Sequence, residues 1–480
     1  MLVLVLTIVA LLLISEKYVL YIKQVSLVLS MKIFLISYVL YSSHKTLFTG
    51  NALFAESFKT FAVVEIFDNK IAFCCDNISL LLIVLTTFLT VICLAISLEL
   101  PNFKLFAICF LVMELFLLIV WTTFDIFVFY IFFESVLIPM FVIIKLWGSR
   151  ARKTRAAYLF FMYTVIGSLP MLFSILYIYF KTGTTNMLVL QLANFFSFQE
   201  QKFLWLAFFL AFAVKCPMVP FHLWLPEAHV EAPTSGSVIL AGVLLKLGSY
   251  GMLRFLNPLF NIAALYFTPL VQTLSVCGIV YASLTALRQN DIKRVIAYAS
   301  IAHMNLIVVG IFSLSIYSIQ GAVFQMISHG LVASLLFLLV GILYDRSGTR
   351  LITNYSGLTL VMPKFSYYFL IATLANMAFP GTSGFAGEFL LFAGIFLVNT
   401  YTGYLCALGI FLCSTYSIWL YNRTMYGNLS TQVLSYKDVD WLDLIVIRSF
   451  IAAILKIGLK PYLLTNFIYG DVLYLLVINN

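Results

Sequence analysis

The chain has 480 residues, of which 63% are hydrophobic and only 10% are charged, and its mean hydropathy is +1.06. Because soluble proteins carry about 25% charged residues, this composition excludes a soluble globular protein and indicates a chain that crosses a membrane many times. The net charge of +9 comes from basic residues confined to short loops between apolar runs, a pattern that argues against a nucleic-acid-binding surface.

Apolar runs of roughly the 20 residues that a transmembrane helix needs follow one another along the chain. They predict an all-α polytopic membrane protein with about 14 transmembrane helices, at 1–15, 18–42, 78–98, 104–122, 124–147, 157–180, 203–225, 235–256, 259–285, 294–317, 319–343, 365–397, 402–421 and 441–460. The first run lacks the basic start and the small-residue cleavage site of a signal peptide, so we expect it to be retained. A polar loop is predicted at 43–77.

The basic loops predict the orientation of the bundle. They follow spans five, nine and eleven and contain Arg150, Arg152, Lys153, Arg155, Arg288, Lys293, Arg294, Arg346 and Arg350. Loops that follow odd-numbered spans share one face, and the positive-inside rule places that face on the matrix or cytoplasmic side. Both termini are then expected on the opposite face.

Two spans contain helix breakers near their middle. Span seven has Pro217 and Pro220 just after Lys215, and span twelve has the sequence FPGTSG at residues 379–384. Proline removes a backbone donor and glycine loosens the backbone, so helices 7 and 12 are predicted to be broken. The two lie five helices apart and run in opposite directions, which indicates inverted repeats with a site at their interface.

Six titratable residues lie at a similar depth in six different spans. They are Glu134, Lys215, Lys246, His303, His329 and Glu388, in spans five, seven, eight, ten, eleven and twelve. A charge at the middle of a span costs about 2.5–3.5 kcal/mol or more, and such groups usually face the bundle interior and mark ion pathways. The sequence therefore predicts a polar axis in the plane of the membrane.

Simpler interpretations of the same residues stay open at this point. Glu134 and Lys215 could form a structural tie between helices, and a single histidine within a span is often a hydrogen-bonded core residue. Glu114 in span four either joins the axis or pairs locally. Arg254 and Lys145 lie near span ends and are expected to extend toward the membrane surface. Arg448 lies deeper in span fourteen and has no assigned role.

The polar residues between spans seven and eight raise the question of a metal site. They are His222, Glu227, His229 and Glu231. They contain no HExxH and match no standard ligand spacing, so we predict no metal site and interpret them as helix caps that shape a proton entry. The eight cysteines form no CxxC pair and are interpreted as small buried hydrophobic residues, and no motif for a redox cofactor is present.

Five stretches together resemble a known family: FFESVLIPMF, KCPMVPFHLWLPEAHVEAPTSGSVILAGVLLKLG, DIKRVIAYASIAHMN, SHGLVASLLF and FPGTSGFAGEF. They are closely similar to the subunit-four family of mitochondrial NADH dehydrogenase, the respiratory complex I, over about residues 110 to 425. The resemblance implies a cation/proton antiporter-like fold with two inverted five-helix repeats. It divides the chain into 1–103 (helices 1–3), 104–256 (helices 4–8), 257–422 (helices 9–13) and 423–480 (helix 14 and tail).

The resemblance also implies roles for the six buried residues. Glu134 and Lys215 match the family's glutamate–lysine pair, Lys246 its connecting lysine, His303 and His329 its bridging histidines, and Glu388 its terminal acidic residue. Sister subunits usually end the axis with a lysine, so the glutamate favours subunit four. The implied function is proton translocation within NADH:ubiquinone oxidoreductase, with no redox chemistry in this chain.

The same resemblance implies a location and partners. The expected location is the mitochondrial inner membrane, in contact with lipids and neighbouring antiporter-like subunits. FMN, iron–sulfur clusters, NADH and ubiquinone are expected on other subunits, and no nucleic acid is expected. Two rivals stay open: a subunit of a multi-subunit Na⁺/H⁺ antiporter or membrane-bound hydrogenase, and a structural membrane subunit that does not pump.

Overall fold

α-Helices make up most of the computed structural model, which describes residues 1–47, 59–66, 69–192, 195–429 and 436–479. The helices of the first half are α1 Leu2–Leu13, α2 Val19–Leu47, α3 Asn77–Ile96, α4 Phe103–Thr122, α5 Ile126–Ser135, α6 Leu137–Trp147, α7 Lys153–Thr182, α8 Met187–Leu192, α9 Phe198–Lys215, α10 Trp224–Glu231, α11 Thr234–Ile239, α12 Lys246–Gly251 and α13 Asn257–Leu259. Two π-helical segments, Leu240–Leu244 and Met252–Leu256, join α11 to α12 and α12 to α13.

The second half continues the helical pattern. Its helices are α14 Asn261–Leu287, α15 Ile292–Phe312, α16 Ile316–Ser347, α17 Leu358–Val361, α18 Pro363–Asn376, α19 Ser383–Val398, α20 Thr400–Met425, α21 Trp441–Leu459 and α22 Tyr462–Asn479. Helices α15 and α16 and the α11–α13 segment are the most deeply enclosed, and they form the centre of the bundle. The remaining helices surround them.

The prediction of a polytopic membrane protein is confirmed. Ten helical segments of the described residues are long and apolar enough to cross a membrane. The predicted total of fourteen spans stays a prediction. Span twelve is not among the ten, because it is divided into the shorter helices α18 and α19.

The predicted polar loop at 43–77 contains a β-hairpin, an addition to the predicted all-α fold of a protein that is otherwise mostly helical. Strand β1, Lys59–Ile66, pairs antiparallel with β2, Asn69–Cys75, and Lys59 lies opposite Cys75. The sequence TFAVVEI is rich in β-branched and aromatic residues, which favour an extended backbone. Residues 48–58 and 67–68 of this predicted loop lie outside the described residues.

Both predicted helix breaks are present. Helix α9 ends at Lys215 and α10 begins at Trp224. The carbonyls left open by this break find other donors: Met218 N donates to Ala213 O at 2.9 Å, and Trp224 Nε1 donates to Val214 O at 2.9 Å. In span twelve, α18 ends at Asn376 and α19 begins at Ser383.

Arg254 does not reach toward the membrane surface, so that prediction is wrong. Its side chain is 3% exposed, and Nη1 lies 2.8 Å from Asp76 Oδ2. The guanidinium also lies 4.1 Å from the Phe124 ring. Asp471 in the last helix accepts a hydrogen bond from Ile78 N at 3.1 Å, next to this ion pair. The ion pair thus joins the end of span eight to the start of α3, where α22 also docks.

The other two cations behave differently. Lys145 is exposed in the last turn of α6, as expected for a lysine near a span end. Arg448 lies on the exposed side of α21 rather than deep in the bundle, and its Nε donates to Tyr368 Oη at 3.1 Å. Its depth along span fourteen stays a prediction.

Replacing Arg254 by methionine should destabilise the protein by about 3–5 kcal/mol, because Asp76 would keep its buried charge and lose its partner. Arg448→Met is the matched control. It removes an exposed arginine and should change stability by about 0.5 kcal/mol or less. Thermal unfolding of both variants in detergent is the measurement, and equal melting temperatures would show that the buried pair adds no stability.

Candidate functional site

The pair Glu134–Lys215 is formed as predicted. Glu134 Oε1 lies 3.7 Å from Lys215 Nζ, and the side chains are 17% and 5% exposed. The ammonium also donates a hydrogen bond of 2.6 Å to Phe133 O and lies 3.4 Å from the Phe133 ring centroid. One turn of α5 therefore supplies a carboxylate, a carbonyl and an aromatic face to a single buried cation.

A helix break that the sequence analysis missed makes this arrangement possible. Span five was predicted as continuous, but α5 ends at Ser135 and α6 begins at Leu137. Pro139 has no N–H to donate to the carbonyl of Ser135, four residues earlier. The Ser135 carbonyl consequently loses its helical donor, and in the same last turn of α5 the Phe133 carbonyl accepts a hydrogen bond from the Lys215 ammonium. The proline in FFESVLIPMF was the available signal.

Lys246 lies at the centre of the bundle and is completely buried. Its Nζ donates to Ala241 O at 2.6 Å and lies 2.7 Å from His329 Nδ1. The first π-helical segment ends at Leu244, two residues before Lys246, and the second begins at Met252. Such π-helical turns inside α-helices are rare and are frequent at functional sites.

Two histidines connect Lys246 to Glu388. The ring centroids of His329 and His303 are 5.7 Å apart. His303 Nδ1 lies 3.3 Å from Glu388 Oε1, and Gln325 Nε2 donates to the same oxygen at 3.4 Å. Four of the predicted residues therefore form one line across α12, α16, α15 and α19. We call this line from Lys246 to Glu388 the histidine line.

The Glu134–Lys215 pair and the histidine line are close but not bonded to each other. Among the described residues, no hydrogen bond joins Lys215 to Lys246. Helix α12 nevertheless packs on the end of α9, because Gly248 has no side chain there: a Cβ at Gly248 would lie 2.7 Å from Cys216 N and 2.8 Å from Phe212 O. The missing side chain lets the helix that carries Lys246 approach the end of the helix that carries Lys215.

The polar residues between spans seven and eight lie at one end of the bundle. Their ring and charged groups are distributed over several contacts: His229 stacks on Phe337 with centroids 4.4 Å apart, and Glu227 pairs with Arg294 at 2.7 Å. The ring centroids of His222 and Tyr281 are 5.4 Å apart, and the backbone carbonyl of Glu231 accepts a hydrogen bond from Ser149 N at 3.1 Å. No group of three or more possible metal ligands occurs in the parts of the chain that the structure describes.

Two basic residues that the sequence analysis used only for orientation are also buried here. Lys293 Nζ donates to Ala232 O and to Ser237 Oγ, both at 2.8 Å. Arg350 donates to Val230 O, and its second amino group donates to Ser149 Oγ at 2.6 Å. Both cations therefore hold the backbone between spans seven and eight rather than facing solvent.

Glu114 and Cys413 differ in how they relate to the six axis residues. Glu114 is fully buried in α4, and among the described residues no hydrogen bond or ion pair joins it to the six axis residues. Cys413 is more than a small hydrophobic residue, because its Sγ lies 3.6 Å from His303 Nε2. The sequence offered no signal for this contact, since it depends on how α20 packs beside α15.

Gly248→Ala should destabilise the protein by about 1–3 kcal/mol, because the new methyl group would overlap backbone atoms at the end of α9. Gly470→Ala is the control, since a Cβ there meets nothing within 4 Å. Thermal unfolding in detergent compares the two variants. If Gly248→Ala melts no earlier than the control, the close approach of α12 to α9 is not a constraint on the fold.

Comparisons with known proteins agree with this geometry. The family model described as NADH:quinone oxidoreductase/Mrp antiporter, TM, matches residues 123–413. NADH-ubiquinone oxidoreductase chain 4 of Marchantia polymorpha is 53% identical over 389 residues, which cover 80% of this chain and 78% of the relative. The chain 4 protein of Chondrus crispus is 51% identical over 397 residues, covering 82% and 80%.

Solved structures are similar over the full length. A chain of respiratory complex I from Thermus thermophilus with bound NADH has a TM-score of 0.89 and 26% identity, with 100% of this chain and 98% of that chain covered. A chain of the Mrp complex from Dietzia has a TM-score of 0.86 at 16% identity over 100% and 98%, a likeness of fold alone. From these matches, the chain belongs to the NADH:quinone oxidoreductase/Mrp antiporter transmembrane family, and within it to the NADH-ubiquinone oxidoreductase chain 4 proteins.

Proposed function

We propose that this chain is the proton-translocating, antiporter-like membrane subunit of NADH:ubiquinone oxidoreductase in the mitochondrial inner membrane. The observation that carries the proposal is the histidine line, a buried series of titratable groups beside the Glu134–Lys215 pair. The names of the relatives, which are about half identical, support the assignment to complex I. The chain is thus proposed as one subunit of a translocase enzyme, and the chemistry that it performs itself is proton transfer.

The Glu134–Lys215 pair is proposed as the step at which one proton is held or released. A carboxylate close to a buried ammonium stabilises its charged form, whereas burial alone disfavours it. At 3.7 Å the two groups interact without a close hydrogen bond, so a small movement changes the balance. Glu134 lies in the last turn before a helix break, where backbone movement costs least. Approach and retreat of Glu134 would therefore control the proton on Lys215.

The histidine line is proposed to carry protons sideways. Lys246 Nζ and His329 Nδ1 are within hydrogen-bond distance of each other. His303 Nδ1 and Glu388 Oε1 are 3.3 Å apart, a longer contact that is still an ion-pair distance. Imidazole suits this task because it accepts a proton at one nitrogen and releases it from the other. The remaining step, between the two histidine rings, requires a bridging water or a ring rotation. Glu388 is the terminal acceptor.

The division into 1–103, 104–256, 257–422 and 423–480, with inverted repeats in the two central parts, stays a proposal. It is supported by the two broken segments, because the first break follows Lys215 directly and the second precedes α19, the helix that carries Glu388. In membrane transporters, discontinuous helices in opposed repeats usually form the ion site.

The cofactors and partners are proposed from the relatives. FMN, iron–sulfur clusters, NADH and ubiquinone would be bound by other subunits, and neighbouring antiporter-like subunits would contact this chain in the membrane. A second candidate is a subunit of a cation/proton antiporter, which the fold likeness to the Mrp complex permits. Purification of the chain from its native membrane separates the two: flavin and iron–sulfur subunits copurify only with the first.

Lys215→Arg tests whether Lys215 must release its proton. Arginine keeps the positive charge but does not deprotonate at accessible pH. The variant complex should assemble normally, and its proton pumping should fall about a hundredfold or more, the scale of proton transfer by a positioned side chain. The control is Lys145→Arg, an exposed position on α6. Proton uptake by sealed membranes, corrected for assembled complex, is the measurement, and wild-type pumping would leave Lys215 as a structural tie.

Glu388→Gln tests the terminal acceptor. Glutamine keeps the shape and the hydrogen bond from Gln325 but cannot take up a proton. Assembly should survive, while pumping coupled to quinone reduction should fall about tenfold or more, equivalent to at least about 1.4 kcal/mol in the barrier. Glu99→Gln, at an exposed position after α3, is the control. An unchanged ratio of protons pumped to electrons transferred would refute this role.

A further inference from the structure

A buried polar cluster surrounds the side of His303 that faces away from Glu388. Cys413 Sγ lies 3.6 Å from His303 Nε2 and 3.4 Å from Asn376 O, and Tyr416 Oη donates to the same sulfur at 2.9 Å. All four residues are 9% exposed or less. Their hydrogen-bonding groups must therefore be satisfied inside the protein, since neither water nor lipid reaches them freely.

The Asn376 carbonyl is available because of the break in span twelve. In a continuous helix it would accept from the backbone N–H four residues later, but that residue is Pro380, which has no N–H. Helix α18 ends at Asn376, and the thiol of Cys413 is the donor that approaches its carbonyl. The thiol is thus bonded to the broken helix on one side and to the histidine line on the other.

The His303 ring needs a different partner on Nε2 in each protonation state. In the neutral ring, Nδ1–H donates to the Glu388 carboxylate, so Nε2 is an acceptor and needs a donor. In the imidazolium both nitrogens donate, so Nε2–H needs an acceptor. A thiol meets both needs, because S–H donates and the sulfur accepts, although each bond is weak.

We propose that Cys413 is a positioning residue for His303, and that its S–H turns between His303 Nε2 and the Asn376 carbonyl as His303 loses and gains a proton. When His303 is neutral, S–H donates to Nε2 and keeps the ring proton on Nδ1, facing Glu388. When His303 is charged, Nε2–H donates to the sulfur and S–H turns to Asn376 O. The sulfur carries one hydrogen in both states, so no proton leaves the histidine line through it.

This inference rests on the proposed function of the histidine line and adds a consequence to it. A change in the protonation state of His303 makes or breaks the hydrogen bond from Cys413 to the carbonyl at the end of α18, at the break in span twelve. Tyr416 and the side-chain amide of Asn376, which donates to Ser417 Oγ at 3.1 Å, keep the cluster in place during the change. The thiol therefore links a proton on the line to the backbone of the broken helix.

The test compares three variants of the assembled complex. Cys413→Ala removes the donor and should lower proton pumping about fivefold, the rate equivalent of the roughly 1 kcal/mol net value of one hydrogen bond. Cys413→Ser keeps a group that donates and accepts and should retain most of the rate. Cys406→Ala is the control, because Cys406 is buried on the same helix and makes no hydrogen bond among the described residues.

Pumping by Cys413→Ala equal to that of Cys406→Ala would overturn the inference, and so would equal losses in Cys413→Ala and Cys413→Ser. If the alanine variant does not assemble, infrared difference spectra decide. The S–H stretching band that is absent from Cys413→Ser should shift in the wild-type complex between rest and turnover, and a band that does not shift would overturn the inference. Lys215→Arg, measured in parallel, tests the proposed function separately, because its pumping does not depend on the thiol.

Discussion

Lipid offers no hydrogen-bond partners, so a backbone carbonyl that is freed by a helix break inside this bundle is stabilised when another group of the protein donates to it. The helix breaks and the buried charges satisfy each other under this constraint. Prolines four residues after Ser135, Ala213 and Asn376 leave backbone carbonyls without helical donors. Met218 N donates to the freed carbonyl of Ala213 and the Cys413 thiol to that of Asn376, while the Lys215 ammonium donates to Phe133 O in the same turn as Ser135. The breaks thus create the polar surroundings that the titratable groups need.

The geometry of the histidine line depends on close helix packing. Gly248 brings α12 against the end of α9, and the π-helical segment before Lys246 places the carbonyl of Ala241 within reach of its ammonium. Lys246, His329, His303 and Glu388 come from four helices, so each contact in the line is a contact between helices. A proton moving along this line, as proposed, would therefore alter forces between helices, which is the property that a coupling subunit requires.

The ends of the bundle are fixed by a second set of buried charges. Arg254 pairs with Asp76 where α22 docks on the start of α3, while Lys293 and Arg350 hold the backbone between spans seven and eight. These ties keep both ends of span eight in place around Lys246. Packing and hydrogen bonds around a functional group commonly hold it in position, and these ties would do so for the proposed proton site.

The sequence alone determined the class of protein, the breaks in spans seven and twelve, and the position of the six titratable residues within apolar runs, because run length, proline and position within a run are local properties. Only the tertiary structure decided that Lys246 meets His329 and that Cys413 meets His303, because these contacts depend on which helices lie side by side. Arg254 was misjudged for the same reason: its partner Asp76 lies far away in the chain. The β-hairpin and the break at Val136 also had local signals in the sequence, the β-branched residues of TFAVVEI and the proline at 139. The first signal lies within a polar segment and the second within a continuous apolar run, so only the backbone hydrogen bonds of the folded chain revealed both features.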